Sequence, residues 1–360
     1  MSTGPVIVGA GPAGSAAAIA LLRAGVRPRL IERQFEPGDA LCGGFLSWRT
    51  LEQLDALGLS KADLGGHSIV ALRLFYAGRS RQIALPGPAI AVSRRRLDGL
   101  LLARAVAAGA LFSHDRAVYR DGKLHLDAGE RIACESLFLA TGKHDLRGLP
   151  RPRGAAGRDP FLGLRLRLSA SPILAGLLAD RIEIHLFDGG YLGIVAQEDG
   201  SANFCMAVRK SRLAKADGRP ATLFAQLAGK SAFLAERLAA MPECPGIDAI
   251  GFVPYGWRAQ TGQAGIFRLG DQAGVIPSLA GEGIGVALAS AESAVHHWLR
   301  GGAASAPAFQ QAFACRLRRP LAVAGLIASL GTHSYAARLP IASVMGVAGL
   351  AGLIARWTRV

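Results

Sequence analysis

Two glycine-rich strand-to-helix turns, at opposite ends of one chain, restrict this sequence more than any other feature. The first opens with the short apolar run Pro5-Val6-Ile7-Val8. Gly9-Ala10-Gly11-Pro12-Ala13-Gly14 follows, then a helical stretch from Ser15 to Arg23 that Gly25 ends. Arg29-Leu30-Ile31 forms a second strand closing on Glu32-Arg33. This is a βαβ unit with GxGxxG in its working place. Gly9 permits the tight turn, Gly11 lets backbone N–H groups approach a pyrophosphate, and Gly14 lets helix and strand pack closely. Pro12 and Ala13 complete the turn, and the N-terminus of the helix that follows carries partial positive charge toward the phosphates. Glu32 stands where a carboxylate accepts the ribose hydroxyls. The motif alone suits NAD and FAD equally.

The second turn decides between them. Gly265-Ile266-Phe267-Arg268-Leu269 delivers the chain to Gly270-Asp271, and Gly281-Glu282-Gly283-Ile284-Gly285 opens a helix of small residues. A nicotinamide dehydrogenase needs one such turn, whereas FAD is longer and has two ends to hold. Asp271 is placed to take the ribityl hydroxyls. The helix start at Gly281, Gly283 and Ile284 is placed to aim N–H groups at the flavin ring, whose reduced form is anionic on one edge. Bare glycine backbone is what a flat ring lies against.

Further motifs fall between the two turns. Arg94-x-x-Leu97-Asp98-x-x-Leu101 is followed by Ala105 and Gly109-Ala110, and Phe138-Leu139-Ala140-Thr141-Gly142 comes later. With GAGPAG, Glu32-Arg33, Gly270-Asp271, Pro277 and Gly281-Glu282-Gly283, their order and spacing over nearly the whole chain resemble the FAD-dependent flavoprotein hydroxylase and geranylgeranyl-reductase superfamily. The resemblance implies an α/β fold: a Rossmann-like, doubly wound FAD-binding domain, an inserted antiparallel-sheet substrate domain and a C-terminal helical segment. It further implies that Arg94 approaches the FAD phosphates, that the backbone near Val118 serves the adenine, and that Thr141-Gly142 lies near the pyrophosphate. Read without that register, Arg94 is one of three consecutive arginines at a helix start, and Val118 an ordinary strand valine.

From about residue 161 the pattern changes to period-two alternation, at 161–168, 182–187, 191–196 and 203–208, which reads as an antiparallel sheet. Residues 221–240 read as an amphipathic helix. The expected organisation is an FAD-binding domain over 1–160, with a hairpin at 69–85 joining the substrate sheet. A substrate domain over 161–258 follows, then the rest of the FAD-binding domain over 259–310 and C-terminal apolar helices over 311–360. Cys42-Gly43-Gly44 resembles the reductase-branch loop that passes the flavin, so Cys42 is the candidate catalytic residue if it faces the ring, and otherwise a small buried cysteine. Tyr191 matches the first position of the isoprenoid-reductase segment Tyr-x-Trp-x-Phe-Pro, but Gly193, Val195 and Ala196 replace the other three. Tyr191 and His185 are candidate pocket residues, although a lone strand histidine is more often structural. No paired-tryptophan halogenase motif is found.

Composition excludes several classes. Five scattered cysteines without a CxxC pair support neither a disulfide framework nor a zinc site. His296-His297 has no acid or cysteine at metal spacing and reads as structural, so no metal is expected. The net charge of +15 comes mostly from dispersed arginines rather than a basic helix or an aromatic-basic pattern, so no nucleic acid is expected. The apolar N-terminus lacks a basic n-region, which points away from export and toward the cytoplasm. Segments 320–337 and 340–355 are nearly uncharged, shorter than a bilayer span of ~20 residues, and flanked by arginines. They suit either packing over the pocket or peripheral contact of 320–360 with the inner membrane face.

The expectation is an FAD-dependent oxidoreductase, with NAD(P)H or another reductant as transient electron donor. Its reaction is read as monooxygenation of a hydrophobic aromatic or polyketide- or lipid-like small molecule. The alternatives are a C=C reductase of the geranylgeranyl-reductase type and a non-catalytic flavin-binding protein. A catalytic acid or base and the oligomeric state are not legible.

Overall fold

A computed structural model describes residues 4–76, 78–152, 155–239, 241–242 and 246–332. Five parallel strands form one sheet, in the order Ile266–Arg268, Leu137–Leu139, Val6–Val8, Arg29–Glu32, Leu111–His114. Both glycine-rich turns leave this sheet at the C-terminal ends of their strands, where open α/β sheets bind ligands. Alternation along the strands sorts the two faces. Ile7, Leu30, Phe138 and Phe267 point into a core built with helices Pro12–Arg23, Arg94–Ala107 and Gly283–Gly301. Val6, Val8, Ile31, Leu137 and Leu139 point the other way, onto the antiparallel meander Ala117–Arg120, Lys123–Leu126 and Arg131–Ala133.

The period-two segments form an eight-stranded sheet with the order Ile247–Val253, Phe161–Leu168, Ala202–Arg209, Gly190–Ala196, Arg181–Phe187, His67–Tyr76, Arg79–Ala91, Phe45–Leu46. The hairpin of His67–Tyr76 and Arg79–Ala91 extends the sheet through a parallel pairing with Arg181–Phe187, while the other pairings are antiparallel. One face packs on Leu223, Phe224, Leu227, Leu234 and Leu238. These belong to two short helices, Pro220–Ala228 and Ala232–Leu238, where the sequence suggests one. Gly229-Lys230-Ser231 interrupts the pattern, and Ser231 Oγ caps the second helix by accepting from the Leu234 N–H.

Helix Ala306–Thr332 runs through Pro320 without a break, so the arginines at 316, 318 and 319 lie inside it rather than before it. It packs on both cores: Phe309, Phe313 and Leu317 join the helical core, and Gly331 approaches Leu186 of the eight-stranded sheet. The segment 340–355 lies outside the described residues. Among the described residues no helix is long and apolar enough to cross a membrane.

Candidate active site

The two sheets enclose one cavity of about 1090 Å³. The first turn contributes Gly9, Gly11, Pro12 and Ala13 to its wall, and the strand end after it contributes Glu32 and Arg33. Arg94, Val118, Thr141 and Gly142 line it as well. From the late turn come Gly270, Asp271, Gly281, Gly283 and Ile284. Residues drawn from every part of the sequence pattern therefore share one space. Gly14 alone among the predicted cofactor residues is not in the wall. A Cβ there would stand 1.9 Å from Gly9 O, so its role is the close approach of helix to strand.

The surface these residues present suits a dinucleotide. Gly43, Gly142 and Gly283 each have open space where a side chain would stand, and a Cβ at Gly11 would meet nothing nearer than Arg94 Nη2 at 3.5 Å. Glu32 is already fixed, since Oε2 accepts from the Ala10 N–H at 2.8 Å and Oε1 from the Gln34 N–H at 3.1 Å. Each oxygen keeps a lone pair for a ribose hydroxyl.

Arg94 is more than a solvated helix start. Its Nε and Nη2 each donate to Asp98 across 2.7 Å, one helical turn on, and both side chains are largely buried. Burial opposes the charge on Arg94, but the Asp98 carboxylate overrules it and raises the guanidinium pKa. The result is a fixed cation beside Gly11, where a phosphate would lie. Arg96, by contrast, donates to the backbone carbonyls of Asp63 and Leu64, a packing role. Lys143 adds a second cation, 3.6 Å from Asp271 Oδ2. Burial works against it, and Asp271 holds its pKa above the usual value.

Several residues that build the site have no local sequence signal. Asp39 accepts from the Arg94 backbone N–H at 3.0 Å and pairs with Arg165 at 2.8 Å and Arg167 at 3.1 Å. It thereby ties the Cys42-Gly43-Gly44 loop to a helix start and to the second sheet. Buried Gln272 donates to Gly142 O at 2.9 Å and His144 O at 3.0 Å, stapling the middle motif to the late turn. Arg151 reinforces this with donation to Asp271 O and an ion pair to Asp145. The contacts of Asp39 with Arg165 and Arg167, of Gln272 with Gly142 and His144, and of Arg151 with Asp271 span more than a hundred residues, invisible to any window of sequence.

Beyond the cofactor residues the wall becomes apolar. Leu72, Leu74, Ile83 and Leu85 of the hairpin, Ile184 and Leu186 beside it, and Ala324 and Ile327 of the last helix face the same space. Cys42 lines the cavity half-buried, its Sγ accepting from the Gly44 N–H at 3.4 Å, with Cys205 also in the wall. Burial, with Cys42 nearby, pushes the Cys205 thiol up to about 12, so it stays protonated. Tyr191 lines the cavity too, its hydroxyl bonded to Ser278.

His185 is a correction. Strand alternation turns Ile184 and Leu186 to the cavity and His185 to the opposite face. There it stacks on Phe75 with ring centroids 4.2 Å apart and contacts Glu183 at 3.3 Å, while Glu183 is held by Arg237 at 2.6 and 2.8 Å. His185 is a structural residue behind the wall. Among the described residues no cluster of metal-ligating side chains occurs.

With this geometry in place, the chain can be set beside known proteins. The family described as FAD binding domain matches residues 2–118, and the fold is that of Rossmann-type FAD-binding flavoenzymes. The chain is 30% identical over 226 residues to digeranylgeranylglycerophospholipid reductase 2 of Methanopyrus kandleri, covering 57% of this chain and 54% of that one. It is 33% identical over 204 residues to menaquinone reductase of Mycobacterium tuberculosis, covering 52% and 49%. The chain thus matches about half the length of these relatives. In fold it is similar to the peptidyl tryptophan dihydroxylase QhpG, at 23% identity and a TM-score of 0.69, over 93% of this chain and 76% of that one.

Proposed function

We propose that the protein is an FAD-dependent oxidoreductase that hydroxylates a hydrophobic aromatic or lipid-like small molecule. The observation that carries this is the continuity of the cavity. One space is walled at one end by glycine backbone, Arg94 and Asp271, and at the other by aliphatic side chains of the second sheet. Bound FAD would supply the redox chemistry. The chain's own residues would grip its two halves, exclude water and present an apolar substrate to the ring. Gly193 supports a ring-sized substrate. It lines the cavity where the isoprenoid-reductase segment has tryptophan, and a Cβ there would meet nothing within 3.4 Å. NAD(P)H or another donor would dock transiently, since the sequence offers no second GxGxxG unit.

C=C reduction is the second reading, favoured by the names of the curated relatives, which are reductases at 30–33% identity. The substrates of those enzymes would also fit an apolar chamber. Incubation of the reduced protein with candidate apolar substrates separates the readings. A product that gains one oxygen atom, labelled from ¹⁸O₂ and formed only in air, supports hydroxylation. A product that gains two hydrogens anaerobically, with reoxidation of the flavin, replaces it with reduction. A greasy substrate also gives a reason for peripheral contact of residues 320–360 with a membrane. Deletion of 340–360 should release protein that otherwise sediments with vesicles; full-length protein that never sediments refutes that contact.

A further inference from the structure

Three hydroxyl groups meet on the cavity wall where the cofactor residues give way to the apolar chamber. Ser278 Oγ contacts the phenol oxygen of Tyr255 at 2.6 Å and that of Tyr191. All three residues line the cavity. They arrive from three separate elements: strand Gly190–Ala196, the loop after Ile247–Val253, and the 3₁₀ turn Ser278–Ala280 that leads to Gly281 and Gly283.

Counting protons shows what this cluster leaves over. Three O–H groups carry three protons, and each contact between two hydroxyls uses one. The two contacts within hydrogen-bond distance use two protons, and one O–H is left beyond them. Its owner follows from chemistry. A phenol is the more acidic group and the better donor, while an aliphatic hydroxyl oxygen is the better acceptor. Both phenols therefore donate to Ser278 Oγ, whose two lone pairs are thereby filled, and the Ser278 proton is the one left. Burial keeps both phenols protonated: Tyr255 is pushed up to about 12 and Tyr191 well above its usual value. Exposure agrees with this assignment. Tyr191 is buried and Tyr255 half-buried, whereas Ser278 is open, on the cavity side. Two donors on one oxygen also polarise its O–H and strengthen it as a donor.

We infer that Ser278 donates a hydrogen bond to an acceptor oxygen of the substrate, and that Tyr191 and Tyr255 are positioning residues that aim it. The substrate is then an apolar molecule bearing an oxygen, such as a ketone, quinone or phenol, close to the end that meets the flavin. This rests on the flavoprotein reading above and narrows its substrate to molecules with that oxygen. A wall hydroxyl left unpaired discriminates against a substrate that cannot accept from it.

The test uses two probes of nearly the same shape, 2-acetylnaphthalene and 2-isopropenylnaphthalene, which differ in C=O against C=CH₂. Their Kd values are read from perturbation of the flavin absorption spectrum in the oxidised holoprotein. The quantity compared is the ratio of the two Kd values in each variant, which a change in folding or general packing leaves alone. Ser278→Ala should shift the ratio about tenfold against the ketone, because the carbonyl loses its donor. Tyr191→Phe/Tyr255→Phe keeps the serine proton but removes its aim, and should shift the ratio roughly threefold in the same direction; this variant carries the test where Ser278→Ala folds poorly. An unchanged ratio in both variants, with FAD content retained, overturns the inference. An unchanged ratio together with an altered flavin reduction potential before any probe is added assigns the proton to the flavin instead, and also overturns it. Failure of the ketone to perturb a fully FAD-loaded wild-type protein overturns the assigned substrate class. A wild-type protein that holds no FAD refutes the flavoprotein reading itself.

Discussion

Replacing Gly14 with alanine tests the first turn through a single methyl group. Gly14 lies on helix Pro12–Arg23 directly against the turn, and an added Cβ would stand 1.9 Å from Gly9 O, 3.0 Å from Gly9 C and 3.2 Å from the Ala140 Cβ. Ordinary contact begins near 3.4 Å. The nearest atom is backbone, and Gly9 holds a φ of +103° that few other residues adopt, so the turn has little freedom to yield. The helix must then move outward by roughly 1 Å or more, at a cost of about 1–3 kcal/mol, the usual range for overpacking. Because the same displacement withdraws the helix N-terminus from the phosphate position, cofactor is lost along with stability. The assay is FAD content after purification, read from the ratio of flavin to protein absorbance, together with the thermal midpoint. Expected are a midpoint lower by several degrees and FAD occupancy well below wild type. Full occupancy with an unchanged midpoint refutes the packing role given to Gly14 and the placement of the pyrophosphate.

Three further outcomes follow from the same geometry. Arg94→Ala leaves the buried Asp98 without its partner and should cost about 3–5 kcal/mol; Arg94→Ala/Asp98→Ala should recover most of that in chemical denaturation without recovering FAD affinity in titration, and recovery of both would make Arg94 purely structural. Gln272→Leu strips donors from the Gly142 and His144 carbonyls and should lower stability by about 2–4 kcal/mol, with weaker FAD retention measured by dialysis. His185 is buried and its pKa lies below the ordinary 6.5, chiefly through burial, so the unfolded chain takes up its proton first as pH falls. The resulting stability is full above about pH 6.5 and declines as pH drops from there toward the folded value. Thermal midpoints from pH 8 to 5 should show this decline, and His185→Phe should flatten it; an equal slope in both proteins contradicts the assignment.

The parts of this fold that declare themselves in sequence are those whose physics is local. A glycine turn between a strand and a helix is written in a dozen residues, and the Gly9–Gly14 and Gly270–Gly283 stretches do converge on one cavity. Period-two alternation likewise marks the strands of the second sheet. What alternation leaves open is which face is which. His185 and Ile184 are neighbours of opposite orientation, and the destination of His185 is set by Glu183 and Arg237, the latter far along the chain. The residues that hold the site together are distant pairs of this kind: Asp39 with Arg165, Gln272 with Gly142, Tyr255 and Tyr191 with Ser278. Their partners are chosen by the tertiary structure, so no local pattern marks them. The break between Pro220–Ala228 and Ala232–Leu238 had a signal, in Gly229 followed by a capping Ser231, that the amphipathic pattern outweighed.

The central claim is that both glycine turns hold one FAD across a single cavity, and the absorption spectrum of the purified chain tests it most directly. The predicted result is a yellow protein with a flavin spectrum, releasing on denaturation about one FAD per chain, the stoichiometry of one such dinucleotide site. A colourless protein that takes up no FAD when incubated with it would contradict the account.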